Sequence, residues 1–384
     1  MRHVYIIGTG ATPVGEHWDR SAASLALEAL NGALGTVPAS RVGALYAASA
    51  LSGSLRAQSQ IGTLIATAAG ISGVEAVTIE AGGASGGVAL RQACMAVASG
   101  AVDLAAVIGV EKVTDVLDAQ REAALALATD ADWEAIHGVT LTALWALLMR
   151  RYMHEYGYTA DDFAPFPINA HANAVVNPHA MYRFTITADK VHSAPMVSEP
   201  LGLLDCSTAA DGAAAVLIAS EGLARELCAN PVRIAGSAVA TDTLALHSRP
   251  DPLRLTAAAQ ATAAALRSAH LTHSDVQVFD VTDPHGIAAA LALESSGFAE
   301  RGTAVALARE GAITPKGRLP LATGGGCKAR GDTVGANGVY QIVELVAQLR
   351  GQSGAAQVNG ARVAMAQCMG GIGATVATHM LTLD

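Results

Sequence analysis

The chain has 384 residues, of which 51% are hydrophobic and 15% charged, and its net charge is −9. That length and apolar content require two core units or one large layered domain. The acidic balance and an aromatic content of 4% argue against nucleic acid or an anionic membrane as partner, because both reward a basic face.

In chain order, VYIIG (4–8) reads as a strand, SAASLALEALNGALG (21–35) as a helix and GALYAAS (43–49) as a second strand. AVTIEA (76–81) is a third strand, followed by a glycine-rich corner and a helix of small residues from about Ala84. DLAAVIGVEKV (103–113) is a further buried strand. The alternation predicts a parallel or mixed sheet covered by helices. Between Thr114 and Asp211 long polar and helical stretches carry Pro165, Pro167, Pro178, Pro195 and Pro200, the pattern of an insertion capping the sheet. GAAAVLIAS (212–220) resumes the strand rhythm.

A second half begins near Val232 and repeats the first: the strand VRIAGSAVA, a helix within 251–269, the strand VQVFDVTD, a glycine-rich turn with the helix GANGVYQIVELVAQLRG, and RVAMAQCMGGIGATVATHML to close. Two such βαβαβ units imply two similar lobes.

Several weaker signals are set aside. The five cysteines, Cys94, Cys206, Cys228, Cys327 and Cys368, lack any CxxC spacing, so reduced thiols in a cytoplasmic protein are expected, with no metal site. No signal peptide is expected at the N-terminus. The best membrane candidate, LTALWALLM, stops at Arg150-Arg151. GTGATPVG after the first strand misplaces the third glycine of a dinucleotide fingerprint. His171 and His179 read as loop or capping histidines.

The stretches GVEKVTD, WEAIHG, RRYMHEYG, NAHANAVVNPHAMYR, LLDCSTAADGAAAVLIAS, KARGDTVGANGVYQIVE and GGIGATVATHML, in that order, resemble the thiolase superfamily, in the bacterial and archaeal branch close to sterol-carrier-protein-x thiolases. The resemblance implies a five-layer αβαβα fold with two lobes. The N-terminal lobe would span 1–230, including a capping insertion at about 114–213, and the C-terminal lobe 231–384. It also implies pairing of two copies through Ala76–Ala81 into a homodimer or larger assembly.

The family's nucleophilic cysteine, in a Cys-Ala-Ser-Gly context, matches Gly83-Ala84-Ser85-Gly86, so the nucleophile position is Gly83. Cys94 lies about three helical turns further on and reads as a packing residue. The histidine of the family's Gly-His-Pro motif matches Asp332, and that of its His-Asp-Cys-Phe motif matches Thr282. His285, three residues later, is either a relocated catalytic group or a surface residue. Cys368-Met369-Gly370 fits the Cys-x-Gly acid/base motif, with Cys368 either an acid/base thiol or a small buried residue. The backbone N–H groups of Gly83 and Gly370 match the pair that holds the thioester oxygen.

Covalent acyl transfer is therefore not expected. No cofactor is implied beyond a coenzyme A thioester as substrate or ligand, and any catalysis is assigned to Cys368, His285 and Asp332. Three functions follow from the resemblance. One is non-covalent carbon–carbon bond cleavage or formation on an acyl-CoA, of retro-aldol or Claisen type. Another is a non-catalytic subunit completed by an active thiolase paralogue or a small OB-fold zinc-ribbon protein. The third is an acyltransferase of the acetyl-CoA acetyltransferase type. Tyr340 matches a tyrosine found in both aldolase-like and ordinary thiolases. A valine at position 83 is expected to block ligand without disturbing the fold.

Overall fold

The computed structural model describes residues 2–383. Its strands are β1 (Val4–Ala11), β2 (Ala44–Ala48), β3 (Glu75–Ile79), β4 (Leu104–Glu111), β5 (Met196–Ser198), β6 (Leu201–Gly202), β7 (Gly212–Ser220), β8 (Val232–Thr241), β9 (Val278–Val281), β10 (Val363–Gly370) and β11 (Thr375–Thr382). Nine of them form one sheet in the order β3-β2-β4-β7-β1-β8-β11-β10-β9, and β5 and β6 form a separate hairpin. β2 runs parallel to β3 and β4, whereas β7 is antiparallel to β4 and β1. Every residue of β4 and β7 is buried, as continuous Ala, Val and Ile runs require when both faces are covered. β1 meets β8 at only two residue pairs, Tyr5–Arg233 and Ile6–Val232. That short joint connects the N-terminal five strands to the C-terminal four.

The layers follow from where the apolar helices find cover. The helix Ser85–Ser99 and the helix Asn337–Leu349 touch strands of both halves and each other, so they form the middle layer, where the sequence expects its two central helices. Ala22–Leu34 and Ile61–Ala68 cover the N-terminal strands, and Thr256–Ala269 covers β8 and β11. The result is helix, sheet, helix, sheet, helix.

Segment 114–211 holds the helices Asp118–Leu125, Leu141–Tyr156 and Pro165–Ala174 and the β5–β6 hairpin. Thr140 starts the second of these by accepting a hydrogen bond from the Ala143 N–H at 3.1 Å. That helix buries Leu144, Trp145, Leu148, Met149 and Tyr152 against Phe279, Ile287 and Leu291, so this segment is anchored on the C-terminal half. His171 departs from the expectation: it is buried on the helix Pro165–Ala174, with Nδ1 3.1 Å from the Phe184 carbonyl, and not in a loop. Burial draws its pKa down to about 4. Asp211 fastens the segment's end, accepting from Lys112 Nζ at 2.7 Å, the Val113 N–H at 2.7 Å and Thr114 Oγ1 at 2.7 Å.

The two central helices meet through glycines. A Cβ on Gly86 would lie 2.9 Å from the Val339 nitrogen, and one on Gly338 would lie 2.6 Å from the Gly87 nitrogen. Helix propensity alone favours Ala over Gly by about 1 kcal/mol, but an extra methyl against backbone costs about 1–3 kcal/mol. Packing wins, and Gly338→Ala is expected to lower stability by about 2 kcal/mol in urea unfolding.

His379 on β11 packs beside them, with Nε2 3.0 Å from the Gly87 carbonyl and Nδ1 buried without a partner. Burial pulls its pKa down to about 4, below an unfolded value near 6.5. Its neutral form therefore contributes stability above pH ~6.5 that is lost as the pH falls toward 4. The stability gap between wild type and His379→Gln is expected to narrow by about 2 kcal/mol between pH 7 and pH 5.

Candidate active site

A cavity of about 780 Å³ opens where the corner after β3, the C-terminal ends of β9 and β10, the turn before the second central helix and the capping segment converge. Its size is that of a small-molecule site. Leu125, Leu141, Trp145 and Leu203 form apolar wall, and Gly83, Thr282, His285, Asp332, Asn337 and Met369 also line the space. Arg121, 2.7 Å from Asp118, is the cation among the described lining residues, against the carboxylates Glu80, Glu122 and Asp332.

The corner is held by its own side chains. Ser85 Oγ accepts from the Ala81 N–H at 2.9 Å and donates to the Gly82 carbonyl at 2.6 Å, while Glu80 accepts from the Gly82 N–H at 2.6 Å. Gly82 takes φ of 56°, a left-handed conformation that suits glycine. Gly83 then stands at the positive end of a 15-residue helix. A Cβ on Gly83 would lie 2.5 Å from the Met369 carbonyl oxygen, and one on Gly370 would lie 2.3 Å from the Ala81 carbonyl oxygen. Corner and β10 are thus pressed together where neither has a side chain. Gly370, expected to pair with Gly83, is absent from the cavity lining, where Gly371 is found.

Asp332 is gripped from three sides. It accepts from Ser207 Oγ at 3.0 Å, the Val334 N–H at 3.0 Å and Asn337 Nδ2 at 2.6 Å. Asn337 Oδ1 in turn accepts from the Thr333 N–H, Thr333 Oγ1 and Arg330 Nη2, each at 3.0 Å. Arg330 is fully buried, 3.0 Å from Glu344 and 5.1 Å above the Tyr340 ring. A chain of donors from a buried cation thereby orients a carboxylate at the cavity wall. Tyr340 itself is outside the lining, its hydroxyl donating to the Thr12 carbonyl at 2.9 Å.

Thr282 Oγ1 accepts from the Met369 N–H at 3.1 Å and lines the cavity. His285 also lines it and is 4% exposed, which corrects the surface alternative. Burial lowers its pKa to about 4, so the ring is neutral near pH 7. Cys368 is a second correction. It is 1% exposed, absent from the lining, and its Sγ sits 3.6 Å from the Ala84 carbonyl between the two central helices. Burial pushes its thiol up to about 12. Successive strand residues face opposite ways, and Met369 is the one turned to the cavity.

The structure therefore brings Gly83, Thr282, His285 and Asp332 together and leaves Cys368 and Gly370 outside. Sequence reasoning missed Ser207 and Asn337, which hold Asp332. It also missed Glu111, which accepts from Ser49 Oγ at 2.8 Å and from the Ala50, Leu51 and Gly335 N–H groups, tying the cavity's loops together. The buried acid in GVEKV, an apolar strand, is the signal that pointed to it.

The close approach at Gly83 also reverses the expectation that valine is tolerated there. Gly83→Ala and Gly83→Cys are each expected to lower stability by about 1–3 kcal/mol, read by thermal melting, and Gly83→Cys to gain no thiolysis of acetoacetyl-CoA.

Residues 4–222 match the family model for the thiolase N-terminal domain, and residues 238–383 match that for the thiolase C-terminal domain-like family. An acetyl-CoA acetyltransferase of Methanothermobacter thermautotrophicus is 41% identical over 100% of both chains. The benzoylsuccinyl-CoA thiolase subunit BbsB of Thauera aromatica is 32% identical, over 96% of this chain and 95% of its own. The solved Ltp2-ChsH2(DUF35) aldolase shares 25% identity at a TM-score of 0.88, over 100% of this chain and 98% of that one. Matched in both halves and along its whole length, this chain belongs to the thiolase superfamily.

Proposed function

We propose that the protein binds a coenzyme A thioester and cleaves or forms a carbon–carbon bond in it without an acyl-enzyme intermediate. One observation carries the reading: Gly83, which the resemblance matches to the family's nucleophile, has no room for a Cβ, while the same cavity presents an oriented carboxylate, Asp332. In the cleavage direction Asp332 takes the proton of a β-hydroxyl group. The Cα–Cβ bond breaks, a ketone or aldehyde leaves, and the electron pair passes to the thioester as an enolate. The backbone at Gly83 and the helix start behind it stabilise that charge, an effect worth about 3–4 kcal/mol per well-placed donor in other enzymes. A proton then returns to Cα. The likeness to an aldolase supports this chemistry, and the likeness to an acetyl-CoA acetyltransferase supports the thioester. Acyl transfer by the covalent route lacks its nucleophile at position 83.

A second reading is a subunit completed by a partner, such as a thiolase paralogue or a small OB-fold zinc-ribbon protein. It is favoured by one relative being a thiolase subunit and by the solved aldolase being a complex with a DUF35 protein. We further place the protein in the cytoplasm, and as a homodimer paired through β3, an edge strand with Glu75, Val77 and Thr78 exposed. A solution mass of one chain overturns the dimer.

The test supplies branched 3-hydroxyacyl-CoA esters to the chain, alone and co-expressed with its partner, and follows release of the shorter acyl-CoA. Cleavage is expected, with Asp332→Asn about 10²-fold slower. Acetoacetyl-CoA with free CoA is expected to give no thiolysis and no acyl adduct in the intact mass. Robust thiolysis, or a covalent adduct, overturns the reading.

A further inference from the structure

Beside the cavity lies a second, small pocket of about 10 Å³, room for about one water. Asp205, Asp283, His285 and Lys328 line it, closed in by Phe166 and Ala289. His285 belongs to the lining of both spaces, and no other described residue does. The residue that faces the proposed substrate is thus also the partition to a second polar chamber.

Two groups at this partition lack a side-chain partner. His285 Nδ1 is buried without a hydrogen-bond partner. Lys328 is 5% exposed, and its ammonium makes no side-chain hydrogen bond or ion pair among the described residues. A buried polar group without a partner costs about 1–3 kcal/mol, and a buried charge several. Lys328 is the cation set against the buried carboxylates Asp205 and Asp283, which act on it through space without a hydrogen bond. The surroundings are nonetheless firmly built. The Ser207 N–H donates to the Pro284 carbonyl at 2.8 Å, and Cys206 bridges the His285 backbone. Asp283 accepts from the Cys327 N–H at 2.6 Å, fixing the π-type turn Gly326–Arg330 that carries Lys328.

We propose that Lys328, a water in this void and His285 form a proton relay that returns the proton to the substrate carbon. The inference rests on the carbon–carbon lyase reading above. His285 gives a proton from one ring nitrogen to the enolate carbon and takes one at the other from the water. The water is restored by the Lys328 ammonium, which is recharged from solvent after product leaves. The proton that Asp332 removed from the β-hydroxyl is released separately, so the cycle closes. The imidazole exchanges tautomers and need not become a cation. Charges are consistent with that direction. Burial holds His285 near 4, against a hydrogen bond to the Asp205 backbone and with Lys328 adding to the effect. Burial also lowers Lys328 to about 8, against the pull of Cys206, Asp205 and Asp283. Near pH 7 the lysine holds the proton and the histidine is neutral. The remaining titratable neighbours are His171, itself lowered to about 4 by burial and by Lys328, and Asp283, raised to about 7 by burial.

Two readouts on the full chain separate the relay from the lyase reading. The first is the protonation midpoint of His285 by NMR on labelled histidine, assigned with His285→Gln. Lys328→Met is expected to raise that midpoint, and an unchanged midpoint overturns the coupling whatever the protein catalyses. A single cooperative thermal melt confirms that Lys328→Met folds. The second readout is exchange of the α-protons of acetyl-CoA in D₂O, which needs no turnover. His285→Gln and Lys328→Met are each expected to slow exchange about 10²-fold. Lys328→Arg keeps the charge but cannot release a proton. It is expected to leave the His285 midpoint near wild type while exchange stays slow. Wild-type exchange in Lys328→Met overturns the relay, and restored exchange in Lys328→Arg reduces Lys328 to a fixed charge and overturns it equally. If wild type itself shows no exchange while the midpoint still shifts, the lyase reading fails and takes the relay's chemical role with it.

Discussion

The architecture depends on one constraint: four backbone segments must approach closer than any side chain permits. Gly83 rests on the Met369 carbonyl, Gly370 on the Ala81 carbonyl, Gly86 against Val339 and Gly338 against Gly87. These contacts bring the first central helix, the second central helix and the end of β10 to a single point. The cavity lies directly above it. Because backbone and not side chains makes the contact, the inner end of the cavity is rigid and lined by peptide groups. The same closeness that removes a side chain from position 83 therefore builds the surface that replaces it.

Around that point the charges are organised as a buried cluster with too few cations. Arg330 faces Glu344, and Asp280 and Asp283 lie near it. Both carboxylate oxygens of Asp280 are buried without partners. Burial, with the charge of Glu344 adding to it, raises its pKa well above the ordinary range, which favours the neutral form where a charge would be uncompensated. Asp283 is held near 7 by the same cause. Asp332 differs in kind. It sits at the cavity wall with three donors and is reached by Arg330 only through Asn337. Placing the donors on one carboxylate and the desolvation on the others divides the acids into one oriented group and two suppressed ones.

Strand rhythm, the two central helices and the capping insertion were legible in the sequence because each has a local signature: apolar runs of strand length, a glycine corner before a helix, and a cluster of prolines. The site was legible where glycine or an acid stood in a recognisable corner, at Gly83 and Asp332. It was illegible where tertiary partners decide. Cys368 and Met369 are neighbours on one strand, and only the register of β10 against β9 and β11 determines which of them meets the cavity. The burial of His285 comes from the backbone bridge to Cys206, and its second face comes from Lys328, 43 positions further along the chain. No pattern within VTDPHG contains that information. Asn337 looks like any polar residue at a helix start, and its role appears only when Arg330 and Asp332 flank it.

Under the proposed reading the cavity's charge inventory also constrains how a ligand enters. Glu80, Glu122 and Asp332 outnumber Arg121 in the lining, so the interior repels phosphate groups and favours the neutral thioester and an apolar acyl group against Leu125, Leu141 and Trp145. The thioester consequently leads, and the carbonyl reaches the peptide groups near Gly83 at the closed end. Enolate stabilisation needs that backbone and a carboxylate on the opposite side of the substrate, and it does not need a thiol. On that reading, a cavity floored by backbone at position 83 suits carbon–carbon chemistry, because the enolate's charge would be met by fixed dipoles that cost nothing to reorganise during the reaction.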